Sequence, residues 1–287
     1  MATFTNYATL SYNGGTTESN TVTGELLEVL SATKTAVAND YTAKDDVTYV
    51  ISLRNSGAQE LTNLTVTDDL GGYLFGKEEP QQTVYPLAYT AGSLRYYLDG
   101  VLQAAPAVAA GPPLVISGIS VPAGGNALLI YEAATTNYAP LGSDAQIVNT
   151  ATVAGDGIAN PTTVSSVIGM EQRADLNVSK AICPATVAEN GQVSYTFVIG
   201  NTGNIPATAA DDVVLTDQFQ PRLKDIAVTF NGTAWTEGLQ YSYNEAEGQF
   251  ATLPGRIIVP AATYTQKEDG TWTVTPGVST LVVTGTL

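Results

Sequence analysis

Short runs of alternating apolar and polar residues follow one another along the chain, and no long helical period interrupts them. Successive side chains of a β-strand point to opposite faces, so this alternation predicts strands that each bury one row. Residues 64–70, LTVTDDL, and residues 213–219, VVLTDQF, are two examples. Thr, Val, Tyr and Gly are plentiful, which also favours strands. We therefore predict an all-β chain.

Two segments of the chain, residues 30–70 and 177–219, repeat the same order of elements. In each segment the same spacing separates a lysine from an asparagine that opens an Asn-x-Gly turn, which we expect to use left-handed backbone. The repeat predicts two related β-domains, residues 29–172 and 173–287. The matched residues are Lys34 and Asn55 in the first copy, and Lys180 and Asn201 in the second.

The N-terminal segment repeats a strand from late in the first domain. Residues 4–10, FTNYATL, resemble residues 147–153, IVNTATV, and the turn and strand that follow match as well. The second domain reaches Leu287 without such a strand, so residues 1–28 offer what it lacks. Unpaired backbone groups at an open sandwich edge cost about 1–3 kcal/mol each when buried. We expect residues 1–28 to be donated to another copy, as in donor-strand complementation.

The donated strand has a defined face, and two other fates remain open for it. A shift by one residue would bury threonines, so the register should be fixed. The segment could instead close the second domain of its own chain, or dock nowhere. Self-closure is disfavoured by the short connection to Lys34, if the two domains lie end to end. The row expected to be buried is Phe4, Asn6, Ala8, Leu10 and Tyr12.

The repeat resembles a known family. The lysine strand at Lys34, VTYVISLRNSG at 47–57, LTVTDDL at 64–70 and NTATV at 149–153 are similar to the hallmarks of the bacterial conserved-repeat surface domain, catalogued as domain of unknown function number eleven. The resemblance covers nearly the whole chain. It implies immunoglobulin-like β-sandwiches in stalks, adhesins and fibres of the cell envelope, and no single activity.

The chain also departs from that family. No signal peptide or wall anchor is recognisable in the sequence, and we expect its last strands to be permuted to the N-terminus. In these respects it is similar to spore-appendage and pilus-like subunits of Gram-positive bacteria.

Polar residues interrupt several of the apolar rows. Each domain points a lysine, an aspartate and an asparagine toward its core, if the strands alternate as predicted. Buried charges are costly unless they are paired. The first set is Lys34, Asp68 and Asn149, and the second is Lys180 and Asp217 with Asn6 of the next copy.

These residue types predict autocatalytic Lys–Asn isopeptide bonds. Burial lowers the pKa of a lysine, so that a neutral amine can attack an amide. Burial raises the pKa of an aspartic acid, so that it can polarise the amide carbonyl, and ammonia leaves. Similar bonds are familiar in Gram-positive surface sandwiches, which the family resemblance makes relevant. The alternative is a buried Lys–Asp ion pair with the asparagine hydrogen-bonded beside it.

Composition excludes several functions. The formal charge of −16, with 27 acidic against 11 basic residues, disfavours nucleic acid and anionic membrane as partners. Histidine is absent and Cys183 is the single cysteine, so we predict no metal, no cofactor and no intrachain disulfide. The N-terminus has no Sec signal, and no stretch approaches the roughly 20 apolar residues of a membrane span.

We therefore predict a structural protein and not an enzyme. The chain should polymerise with itself, head to tail, into an extracellular fibre on a cell or spore surface, with anchor and tip proteins that the sequence does not identify. The alternative is a monomeric adhesin or carbohydrate-binding module, for which six aromatic residues could line a sugar-binding face. They are Tyr96, Tyr97, Trp235, Tyr241, Tyr243 and Trp272.

Overall fold

A computed structural model describes residues 2–26, 28–76 and 80–287, and it is built almost entirely of β-strands. Within these ranges there is no α-helix, one 3-10 turn at Ala209–Asp211, and no helix suited to crossing a bilayer. The all-β prediction is confirmed. The strands are β1 (Ala2–Asn6), β2 (Thr9–Tyr12), β3 (Gly15–Glu18), β4 (Val22–Leu26), β5 (Leu30–Ala36), β6 (Asp40–Tyr41), β7 (Asp46–Asn55), β8 (Leu61–Asp68), β9 (Tyr73–Phe75), β10 (Gln82–Val84), β11 (Leu87–Tyr89), β12 (Arg95–Leu98), β13 (Val101–Gln103), β14 (Ala107–Ala109), β15 (Leu114–Val121), β16 (Asn126–Thr135), β17 (Gln146–Ala154), β18 (Thr162–Met170), β19 (Leu176–Cys183), β20 (Gln192–Asn201), β21 (Thr216–Gln218), β22 (Lys224–Phe230), β23 (Thr233–Trp235), β24 (Tyr241–Asn244), β25 (Gln249–Thr252), β26 (Thr263–Gln266), β27 (Trp272–Thr275) and β28 (Gly277–Thr286).

The chain divides into two compact units. The first unit comprises Met1–Pro140 with Gln146–Gly169, and the second comprises Leu141–Ala145 with Met170–Leu287. The finer limits that the sequence suggests, at residues 28 and 172, stay predictions.

The first unit is an immunoglobulin-like sandwich of two antiparallel sheets. One sheet has the order β13-β12-β16-β7-β5, with β11 beside β16, and the other has the order β14-β15-β8-β17-β18-β6. Strands β5, β7, β16 and β12 follow the A-B-E-D order of an immunoglobulin domain, and β8, β17 and β18 follow its C-F-G order. Alternating residues of β7 and β16 are buried between the sheets, as the sequence pattern predicts.

The second unit repeats the A-B-E-D sheet as β19-β20-β28-β22, with β23 at its end. Its C-like strand, β21, begins a smaller sheet of order β21-β25-β24. In the first unit the matching strand β8 pairs with β15 on one edge and with β17 on the other. In the described part of the chain, β21 pairs with β25 alone and keeps its second edge open.

The turn asparagines of the repeat hold the chain through their side chains. Asn55 Nδ2 donates to the carbonyls of Gln59 and Val121, and Asn55 Oδ1 accepts from the N–H of Gly57 at 2.9 Å. Asn201 makes the matching bonds to its own turn. Neither asparagine, nor the glycine two residues later, has a positive φ. The expected left-handed backbone is therefore wrong here, because the side-chain amide replaces it.

Residues 2–26 form a long hairpin. Strand β1 pairs with β4 and β2 pairs with β3, with Phe4 opposite Gly24 and Asn6 opposite Val22. Between these two pairings the returning strand carries one extra residue, a β-bulge at which the Ser19 N–H donates to the carbonyl of Ala8. From Phe4 to Glu25 every side chain is exposed, so the hairpin packs neither face against a core.

Candidate functional site

Four strands of the first unit bring the predicted residues into its core. Lys34 lies on β5, Asp68 ends β8, and Asn149 lies on β17. Strand β16 adds Tyr131 to the group. All four side chains are buried, with 4% of Lys34 and none of the other three exposed. The two sheets thus close over a polar cluster, which we call the first-unit cluster: Lys34, Asp68, Tyr131 and Asn149.

Asp68 is the centre of the first-unit cluster. Its Oδ2 accepts a hydrogen bond from Lys34 Nζ at 2.7 Å and another from the hydroxyl of Tyr131. Its Oδ1 accepts from the backbone N–H of Leu70, which holds the carboxylate in place. Asn149 Nδ2 in turn donates to Tyr131 Oη at 3.4 Å. Among the described residues, Asn149 Oδ1 has no hydrogen-bond partner.

Burial governs the electrostatics of the first-unit cluster. Desolvation lowers the pKa of Lys34, and the attraction of Asp68 opposes that change without cancelling it. Desolvation also raises the pKa of Tyr131 well above its usual value, with the negative charge of Asp68 acting in the same direction. The site therefore favours a neutral amine and a protonated phenol. A neutral amine is the form that can attack a carbonyl carbon.

The sequence pattern does not single out Tyr131, because its row looks like any other apolar row of a buried strand. Tyr131 stands opposite Tyr49 of β7, and their rings stack with centroids 5.6 Å apart. Tyr49 also lies under Lys34, whose Nζ is 5.0 Å from the ring centroid. The signal for Tyr131 is that it faces Tyr49 beside a buried lysine. That signal becomes visible only when the pairing of the two strands is known.

The second unit brings Lys180 and Asp217 together in a different setting. Lys180 Nζ donates to Asp217 Oδ2 and lies 4.5 Å from the ring centroid of Tyr195. The Lys180 side chain is 38% exposed and that of Asp217 is 17% exposed, so the pair lies at the surface of the single chain. Every residue of β19 is exposed, whereas β5 buries Leu30 and Lys34. The expectation that Lys180 faces a covered core is not met in the single chain.

The second unit also lacks two members of the arrangement. Val283 stands opposite Tyr195 on β28, where the first unit has Tyr131 opposite Tyr49. Among the hydrogen bonds of the described residues, no asparagine joins the Lys180–Asp217 pair. Asn6, the predicted third member, is exposed on the N-terminal hairpin opposite Val22. One chain therefore assembles only one complete set.

The described residues offer little to a sugar or a metal. None of the six aromatic residues that could line a sugar-binding face is fully exposed, and Trp235, for example, stacks on Phe230 with centroids 4.9 Å apart. In the same ranges no group of three or more histidine, cysteine or acidic side chains is arranged to hold a metal ion.

Solved structures with some likeness to this chain include three pilins. BcpA, the major pilin subunit of Bacillus cereus, is 14% identical, with a TM-score of 0.36 over 96% of this chain and 73% of BcpA. The major pilin SpaD from Corynebacterium diphtheriae is 12% identical, with a TM-score of 0.36 over 86% of this chain and 59% of SpaD. The pilus backbone protein RrgB from Streptococcus pneumoniae is 12% identical, with a TM-score of 0.32 over 86% of this chain and 55% of RrgB.

Proteins of other kinds match about as well. A transglutaminase of red sea bream has a TM-score of 0.29 over 89% of this chain. No family model matches the chain, and no curated protein sequence matches it significantly. Likeness at this level decides nothing about function, which we argue from the geometry.

Proposed function

We propose that this chain is a non-enzymatic structural subunit that assembles head to tail into an extracellular fibre on a Gram-positive cell or spore. In this proposal the N-terminal hairpin of one copy fills the open edge of β21 in the next copy. The observation that carries it is a likeness between two hairpins of the same chain. One hairpin is buried in the first unit, and the other is exposed.

From Phe4 to Asn6, before its bulge, the exposed hairpin pairs as β17 and β18 do. In the first unit Ile147 pairs with Ile168 and Asn149 with Ser166, as Phe4 pairs with Gly24 and Asn6 with Val22 in the N-terminal hairpin. The buried row of β17 has its counterpart in a fully exposed row. Ile147 is 1% exposed against 57% for Phe4, and Val153 is 0% exposed against 64% for Leu10.

The first unit also supplies the register of the proposed joint. There β17 pairs with β8 so that Ala151 lies opposite Asp68 and Thr152 opposite Thr67. Transferred to the joint, Ala8 lies opposite Asp217 and Thr9 opposite Thr216. This register would place Asn6 relative to the Lys180–Asp217 pair as Asn149 is placed relative to the Lys34–Asp68 pair. Burying Phe4 and Leu10 would stabilise the joint by roughly 1.5–3 kcal/mol each.

The returning strand of the hairpin has a place in the same joint. Its counterpart β18 pairs with β6, where Tyr41 is fully buried. The second unit has Thr186–Val187 at the position of β6, and these residues belong to no strand in the single chain. A donated hairpin would therefore gain partners on both of its edges, which supports donation of the hairpin rather than of one strand.

The cross-links are the finer part of the proposal. We expect Lys34 and Asn149 to form an isopeptide bond within the first unit, with Asp68 as the proton carrier. In this proposal Lys180 and Asp217 of one copy meet Asn6 of the neighbouring copy only after assembly. The first bond strengthens each subunit, and the second would join neighbours.

Negative-stain electron microscopy of the purified chain tests the assembly. We expect filaments from the 287-residue chain, and dispersed particles after deletion of residues 1–12. Leu10→Asp should also abolish filaments, because it places a charge in the buried row. Ser11→Asp is the matched control, since it changes the neighbouring residue on the opposite face. Filaments from the deletion variant, or no filaments from the parent chain, would show that the proposal is wrong.

A further inference from the structure

We propose that Tyr131 is a catalytic residue of the first-unit cross-link, which delivers a proton to the nitrogen that leaves Asn149. This inference rests on the proposed Lys34–Asn149 bond and adds a residue that the sequence pattern did not suggest. It is carried by an unbroken chain of polar contacts. Lys34 Nζ binds Asp68 Oδ2, the same oxygen accepts from the Tyr131 hydroxyl, and Tyr131 Oη accepts from Asn149 Nδ2.

The reaction needs a proton at the leaving nitrogen. Amide nitrogen leaves as ammonia only after it gains a proton, and general acids of this kind typically contribute about 10²–10⁴-fold in rate. Among the described residues, Nδ2 of Asn149 donates a hydrogen bond to Tyr131 Oη, and no hydrogen bond joins it to Asp68. A proton from the carboxyl group therefore reaches Nδ2 by way of the phenol.

The step balances without any further reactant. In the first step Lys34 Nζ passes a proton to Asp68 Oδ2 along their hydrogen bond, and the neutral Nζ then forms a bond to Cγ of Asn149. The hydroxyl proton of Tyr131 moves to Nδ2, and the Asp68 proton replaces it on Oη. The Cγ–Nδ2 bond then breaks and ammonia leaves. Asp68 recovers a proton from Nζ, so the carboxyl group and the phenol are both protonated when the reaction ends.

The second unit provides an internal contrast. Its lysine and aspartate are matched to those of the first unit, but Val283 occupies the position of Tyr131. Valine carries no proton to deliver. Even when Asn6 of another copy reaches Lys180, that joint lacks this route, so its bond should form far more slowly than the bond inside the first unit.

Intact-mass spectrometry after pulsed cell-free synthesis tests the role of Tyr131. Samples are quenched in denaturant over time, and bond formation appears as the loss of one ammonia. We expect Tyr131→Phe to react about 10²-fold or more slowly than the parent chain. Tyr96→Phe is the matched control, because it removes a tyrosine hydroxyl of the same unit whose hydrogen bonds go to the backbone of Ser120 and not to the first-unit cluster. It should react at the parent rate.

The outcomes separate this inference from the bond itself. If the parent chain never loses ammonia, the cross-link is wrong and Tyr131 has no reaction to catalyse. If the parent and Tyr131→Phe lose ammonia at equal rates, the bond stands and the role of Tyr131 is wrong. Should Tyr131→Phe fail to fold, 3-fluorotyrosine at position 131 keeps the hydroxyl but makes it more acidic. The rate of ammonia loss at a fixed pH should then differ from that of the parent chain, and an equal rate would overturn the proposal.

Discussion

The two units use the same lysine and aspartate on matched strands, yet they place them in opposite surroundings. In the first unit the Lys34–Asp68 pair is buried, and in the second the Lys180–Asp217 pair is partly exposed. The two ion pairs are alike, and they differ in whether other strands shield them from solvent. Strands β17 and β18 lie over the first pair, and in the described residues no strand takes their place over the second. The chemistry of these residues therefore depends on strands distant in sequence.

The largest expected effect is a disulfide that forms only if the joint has the proposed register. In a Cys183→Ser background, Thr9→Cys with Thr216→Cys should give a ladder of linked subunits on a non-reducing gel. The two Cα atoms would lie about 5.5 Å apart, within disulfide range.

The control for this ladder shifts one cysteine along the strand. Thr9→Cys with Gln218→Cys separates the Cα atoms by about 8–9 Å, which exceeds the range of a disulfide. Equal ladders from both pairs would contradict the register, although they would leave assembly itself intact.

The second effect compares the two aspartates in the monomer. In an Asn149→Ala background, where no cross-link forms, Asp68→Ala should lower the free energy of unfolding of the first unit by about 3–5 kcal/mol, because it leaves Lys34 buried without a partner. Asp217→Ala should cost at most about 1 kcal/mol, since its partner Lys180 reaches solvent. Urea unfolding of each variant, under conditions without filaments, measures both values. Losses of similar size in the free energy of unfolding would mean that the two ion pairs do not differ in how far they are shielded from solvent.

The third effect is a pH dependence that belongs to the first unit. In Asn149→Ala no cross-link forms, so Lys34 still titrates. Its folded pKa lies below the ordinary value of 10.5, so the unfolded chain binds more protons between the two values. Relative to the parent chain, whose buried tyrosines titrate in the same way, the free energy of unfolding of this variant should rise with pH between the folded pKa of Lys34 and about 10.5, and this contribution is lost as pH falls through the folded pKa.

Urea titrations of Asn149→Ala at several pH values measure this slope. The parent chain is the control, because its Lys34 nitrogen is then an amide and should contribute no such slope. A variant whose stability falls relative to the parent chain over the same range would contradict the assigned direction of the pKa change.

The smallest effect concerns one apolar pair at the joint. In the first unit the Ala36 N–H donates to Ser166 Oγ at 3.0 Å, and the equivalent positions at the joint are Ile182 and Val22. Ile182→Ser should weaken filaments by roughly 1–2 kcal/mol and leave the monomer unchanged, because Ile182 is already 45% exposed. Filament dissociation in urea measures this change. Val198→Ser, on the outer face of β20, should have no effect.

The sequence predicted the strands, the repeat and the rows that carry the polar residues, because each follows from alternation and spacing within one segment. It did not predict the exposure of Lys180, since alternation identifies a face but not what covers it. Tyr131 escaped notice because its relation to Asn149 exists only when β16 and β17 meet across the core. The bulge beside Ala8 escaped notice as well, because one extra residue in the returning strand is visible only through the pairing.

The positions of Lys34 and Asn149 along the chain also bear on mechanical tension. Lys34 lies on β5, the first strand of the sandwich, and Asn149 lies on β17, the last strand but one. If they were bonded, a force applied along the fibre would pass through the bond and bypass residues 35–148, which are 114 residues in all. At about 3.3–3.6 Å per residue, each subunit would lose on the order of 400 Å of the extension that unfolding could otherwise provide. Such a fibre would transmit a pulling force along its length instead of dissipating it by unfolding this segment.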